Sequence, residues 1–117
     1  MKLVVGKTFD ELVDKNKKDV LLAFVGLYNQ QTINFETEFG KLARVYSGGK
    51  NLDFAKIDMF KNDFPDRFKP SSHKPTVYYI PAGDKSNPIE FQEETSVENL
   101  KKFIESNLKK FNKNEEL

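Results

Sequence analysis

Residues 19–43, DVLLAFVGLYNQQTINFETEFGKLA, carry three structural instructions in succession. Val20 to Val25 is a continuous apolar run with β-branched and aromatic members. Its lack of polar alternation predicts a strand covered on both faces, hence the middle of a sheet. Further on, Phe35, Phe39, Leu42, Ala43 and then Tyr46 fall at i, i+4, i+7, i+8 and i+11, the stripe of an amphipathic helix that Gly48 and Gly49 should end. Between the two lies GLYNQQT, a strand-to-helix junction, where backbone N–H groups and a helix dipole gather. No side chain in this junction is a strong nucleophile. Asn29 suits the N-cap of the helix and Thr32 its first turn, and Tyr28 adds an aromatic surface with a hydroxyl.

Working outward, Leu3 to Val5 is a short apolar piece, and Thr8 with Glu11 has the spacing of a capping box, predicting a helix from about Phe9 to Asp14. Asp53 to Asp58 reads as a strand, and NDFPDRFK is compatible with a short helix carrying Pro65 in its first turn. TVYYI and IEF, separated by the turn PAGDKSNP, should pair as a hairpin. The last helix places Val97, Leu100, Phe103, Ile104, Leu108 and Phe111 on one face, with Thr95 and Glu98 again at capping-box spacing. The order is βαβαβαββα, an α/β chain with a mixed sheet, parallel crossovers first and an antiparallel hairpin last, flanked by helices on both faces.

Composition narrows the chemistry. The 117 residues suit one domain, with 19 Lys plus Arg against 18 Asp plus Glu, so no net field argues for a nucleic-acid partner. No apolar stretch approaches the roughly 20 residues that span a bilayer, so membrane insertion is not expected. The chain has no Cys and one His, His73, which excludes disulfides and thiolate chemistry and argues against a metal or other cofactor. The opening MKLVVGKTFDEL lacks the apolar core and cleavage site of a secretory leader, so the native start is expected to lie elsewhere.

VVGKTFDELV, the strand–junction–helix stretch, FAKIDM, KPTVYYIPAG and VENLKKFIESNL together resemble the landmarks of the thioredoxin fold, in the form found in the C-terminal domain of protein disulfide isomerases. The resemblance runs through residues 1–111 and leaves 112–117 as a polar tail. It implies that Pro75 matches the family's cis-proline beside the active-site turn, and that GLYNQQT lies where active members carry Cys-Gly-His-Cys. Asn29 then occupies the place of the attacking cysteine and Thr32 that of the resolving one. Ala23 stands where the family has a buried glutamate serving the resolving cysteine. Lys56 matches the lysine near that glutamate, and is expected to reach solvent or to find Asp58 or Asp10. Disulfide exchange needs a thiolate to attack a disulfide sulfur, which neither an amide nor a hydroxyl can replace.

The resemblance therefore implies a redox-inactive domain of a larger disulfide-isomerase homologue. Its expected work is non-covalent binding of unfolded polypeptides at Gly26, Leu27, Tyr28, Lys74 and Pro75, where an extended peptide could add to the sheet. The alternative is a purely structural or partner-docking module beside neighbouring domains that carry the catalysis. No acid, base and nucleophile set suggests unrelated enzymatic chemistry. The last four residues, Asn114, Glu115, Glu116 and Leu117, resemble the Lys-Asp-Glu-Leu signal read by a retrieval receptor, which implies the endoplasmic reticulum lumen.

Overall fold

The computed structural model describes residues 1–26, 28–46 and 51–111. The expected tail, residues 112–117, lies outside them, as does Leu27. β1 (Lys2–Val4), β2 (Asp19–Val25), β3 (Leu52–Asp58), β4 (Thr76–Ile80) and β5 (Ile89–Glu90) form one sheet in the order β1-β3-β2-β4-β5. β2 is the strand that the apolar run announced: all seven of its residues are buried. It pairs in parallel with β3 on one side and antiparallel with β4 on the other. β1 joins β3 in parallel, and β5 closes the far edge antiparallel to β4, completing the expected hairpin.

Each face of the sheet has its own core. On one face α1 (Gln30–Val45) and α2 (Val97–Phe111) pack Phe35, Phe39, Leu42, Leu100 and Ile104 against Leu21, Ala23, Phe54 and Tyr79. On the other, Phe9 and Val13 cover Val4, Leu22, Phe24, Ala55 and Ile57 together with Phe68 and Tyr78. The chain is thus an α/β sandwich of three layers, as the element order required.

Four local expectations are corrected. Residues Asp10–Asp14 form a π-helical turn after a 3-10 turn at Gly6–Thr8, closed by Lys15 N–H donating to the Asp10 carbonyl at 2.7 Å. Thr8 does not cap toward Glu11. Its hydroxyl turns back to accept from Val5 N–H at 3.1 Å. The helix expected within NDFPDRFK is a turn instead, with Phe68 N–H on the Pro65 carbonyl at 3.1 Å. There Phe64 and Phe68 act as anchors against Phe24, with ring centroids 4.9 and 5.3 Å away. At the last helix the cap is Ser96 rather than Thr95: its hydroxyl accepts from Asn99 N–H at 3.1 Å.

No helix among the described residues is long and apolar enough to cross a membrane.

Candidate functional site

β2 delivers the chain to Gly26 and Tyr28, and Asn29 then opens α1. Asn29 is extended, with φ −126° and ψ −178°, and its side-chain oxygen accepts from Thr32 N–H at 2.9 Å. That is the N-cap bond, which satisfies one of the orphan donors of the first turn. The helix begins in earnest with Ile33 N–H on the Asn29 carbonyl at 3.1 Å. Thr32 is buried, whereas Gln30 and Gln31 are exposed. The two positions assigned to lost cysteines are therefore joined to each other, with the Asn29 side chain closing onto the Thr32 backbone. The arrangement starts a helix and offers no group capable of attack.

Ala23 is fully buried beneath α1 and lies opposite Lys56 in the β2–β3 register. Lys56 does not turn to Asp58 or Asp10. Its ammonium meets Glu36 of α1 at 2.9 Å, with both side chains largely covered. The carboxylate that neutralises this lysine thus comes from the helix above the sheet rather than from the strand beside it. Tyr28 joins the same group, its hydroxyl 3.5 Å from Glu36. Burial, then the Glu36 carboxylate, raises the Tyr28 pKa above its ordinary value, with Lys56 working in the opposite sense. The tyrosine stays a neutral hydroxyl, and the residue remains 59% exposed.

A second aromatic adjoins it. A Cβ placed on Gly26 would lie 2.6 Å from the ring of Phe60 and 3.1 Å from Met59, so the glycine lets these side chains lie directly on the end of β2. The Phe60 backbone is fixed by its N–H donating to Asp58 Oδ1 at 3.0 Å, yet the residue is as exposed as Tyr28.

On the other side of the junction, the pairing of Phe24 with Thr76 sets Pro75 beside the end of β2. The peptide bond before Pro75 is trans, since no cis bond occurs among the described residues. This corrects the expected cis-proline. Trans is the form an X–Pro bond favours by about 0.5–1 kcal/mol unless its surroundings select the other. Pro75 and Lys74 share a groove of about 470 Å³ with Gln31 of α1, Thr76, and residues 90–95. β5 covers β4 only at Tyr78 and Tyr79, with one further bond from Phe91 N–H to the Val77 carbonyl at 2.8 Å. Among the described residues, the stretch 74–76 thus has no strand beside it on that edge.

The thioredoxin family profile matches residues 1–106 of this chain. Human protein disulfide-isomerase A4 is 42% identical over 118 residues, covering 99% of this chain and 18% of that protein. The chain belongs to the thioredoxin family, as a domain of the protein disulfide-isomerase type. Another such relative is the probable protein disulfide-isomerase A4 of Caenorhabditis elegans, 37% identical over 119 residues, with 100% of this chain and 19% of that protein covered. The chain spans about a fifth of the length of these relatives. Chloroplastic thioredoxin z superposes with a TM-score of 0.69 over 91% of this chain and 92% of its own, at 14% identity, a likeness of fold alone.

With no cysteine anywhere in the sequence, this thioredoxin-family domain has no Cys-X-X-Cys redox activity. What its junction retains is geometric: a capped helix terminus, an uncovered piece of β4 and two exposed rings. Asn29, Thr32, Tyr28, Gly26 and Pro75 fall together at one end of the sheet, and Ala23 lies beneath them. Two contributors were not read from the sequence. Glu36 is a polar position on an amphipathic helix, where solvent is the ordinary expectation. Phe60 lies two residues beyond the end of β3, and a large aromatic so near a strand end was the available signal.

Proposed function

We propose that this domain binds unfolded polypeptide segments non-covalently, at Gly26, Leu27, Tyr28, Lys74 and Pro75, as part of a larger disulfide-isomerase homologue. One observation supports this most. Among the described residues, the stretch 74–76 leaves an edge of β4 without a partner strand, facing the start of α1 across a single groove. An extended chain lying there gains backbone hydrogen bonds that do not depend on its sequence, which suits clients of many kinds. Tyr28 and Phe60 supply apolar area at the rim, with a polar handle on Tyr28. Any thiol exchange by the parent protein then falls to other domains, and this one holds a client without forming a bond to it.

Fluorescence anisotropy with a labelled, cysteine-free unfolded peptide tests the reading. Tyr28 is exposed, so Tyr28→Ala should leave the fold intact while weakening binding about three- to tenfold. Equal affinity for both proteins, or no binding by either, favours the structural and partner-docking module instead. Residence in the endoplasmic reticulum lumen belongs to the same proposal, resting on the disulfide-isomerase relatives and on Asn114 to Leu117. Deleting those four residues from the parent protein should send it into the medium, and unchanged retention would count against the signal.

A further inference from the structure

The groove beside β4 is polarised in a way that backbone pairing alone does not use. Lys69 and Lys74 stand exposed on the wall formed by the connection from β3, and Glu93 and Glu94 stand exposed on the wall between β5 and α2. Among the described residues none of these four side chains forms an ion pair. Elsewhere on the same surface, charges do find partners: Lys41 meets Glu38 at 3.5 Å and Lys102 meets Glu98 at 3.7 Å. Here the opposite signs face one groove and do not meet across it.

The backbones of both walls are held in place. Lys69 N–H donates to the Tyr78 hydroxyl at 3.0 Å, and Ser71 N–H to Thr76 Oγ1 at 2.9 Å. On the far wall the Glu94 carbonyl accepts from Asn99 Nδ2 at 3.0 Å and from Ser96 N–H at 2.8 Å. Buried Phe91 and Pro75 contribute an apolar lining between the walls. Glu90, on the acidic side, has its carboxylate 3.5 Å from the Tyr78 hydroxyl.

Building on the polypeptide-binding reading, we infer that the groove selects extended segments carrying both signs of charge. Acidic side chains of the client go to Lys69 and Lys74, and basic ones to Glu93 and Glu94. Successive side chains of an extended chain point in opposite directions, so neighbouring residues of opposite sign can address opposite walls. Exposed pairs are individually weak, but several formed together around a chain that displaces water change affinity and selectivity measurably. Like charge is penalised at one wall or the other, so a segment of single sign gains at one side and loses at the other.

The test uses four unfolded peptides of equal length and apolar content: neutral, Glu-bearing, Lys-bearing, and alternating Glu and Lys. Binding to the whole chain is measured at low and high salt. The alternating peptide should bind about five- to tenfold tighter than the neutral one at low salt, an advantage that shrinks as salt screens the pairs. The double variant Lys69→Glu, Lys74→Glu should come to favour the Lys-bearing peptide, and Glu93→Lys, Glu94→Lys the Glu-bearing one. Circular dichroism checks that each variant is folded. If a charge reversal fails that check, the Gln variants replace it and should lose the preference for the alternating peptide. Should all four peptides bind wild type and variants alike, charge selection is overturned while polypeptide binding stands. Should none of them bind wild type, both fall together.

Discussion

Glu36 shows how a single carboxylate settles the charge of a lysine that has no carboxylate beside it on β2. Lys56 lies on the α1 face of β3 opposite Ala23, where a side chain too short to carry charge leaves its ammonium without a partner on β2. Glu36 reaches down from α1 to neutralise it at 2.9 Å. Removing the charge while keeping the size, as in Glu36→Gln, leaves a largely covered ammonium uncompensated. The expected cost is about 1–2 kcal/mol, below that of a fully buried pair because both groups retain some contact with water. Thermal or urea unfolding measures it, and an unchanged midpoint would show that Lys56 is satisfied by solvent. Tyr28 keeps an acceptor in the same variant, because the Gln amide oxygen can still take its hydroxyl hydrogen bond.

Caps and turns decide where the elements begin. Asn29→Ala removes the acceptor for Thr32 N–H and should destabilise the domain by about 1 kcal/mol, while Asn29→Ser should cost much less because serine caps comparably. At α2, Ser96→Ala is expected to cost a similar amount and Thr95→Ala little, since the capping hydroxyl belongs to Ser96. The strands and both long helices were legible because burial imposes its period over many residues: a seven-residue buried run for β2, and a repeating stripe for α1 and α2. The caps were less legible. A hydroxyl followed three residues later by a carboxylate marks a helix start only to within a residue, and Thr8 found a nearer partner in Val5. The turn at 65–68 was hidden for a tertiary reason, the pull of the Phe24 cluster on Phe64 and Phe68, which no local pattern contains. At the site, the residues of the junction and Pro75 were readable through resemblance, whereas Glu36 and Phe60 depend on what the fold brings beside them.

On the scale of the whole molecule, the two ends of the sheet differ in how their charges and strand edges are arranged. At the end remote from the groove, Asp53 of β3 accepts from Lys2 Nζ and Asn16 Nδ2, each at 2.9 Å, and lies 3.6 Å from Lys18. Burial pushes its carboxyl up, but Asn16, Lys2 and Lys18 together outweigh that and hold it below the usual carboxylate range. A carboxyl lowered by folding contributes stability that is present above its unfolded pKa and is lost as pH falls through the folded one. Asp53→Asn should therefore cost roughly 0.5–1 kcal/mol near neutral pH, discounted for solvent screening, and the gap from wild type should close as pH falls from about 5 to about 2. Unfolding curves across that range check it, and a gap independent of pH would mean that the charge of Asp53 contributes nothing. The groove end is the one to which the proposed function assigns polypeptide binding: among the described residues it has an open strand edge and a capped helix terminus, at the positions where the family resemblance puts two sulfurs in redox-active members. Amide NMR of the labelled chain, titrated with an unfolded cysteine-free peptide, tests that most directly. Shifts that cluster at Tyr28, Gln31, Lys74 and Thr76 and saturate with the peptide are the expected result. Shifts scattered over the surface, or confined to the Asp53 end, would contradict it.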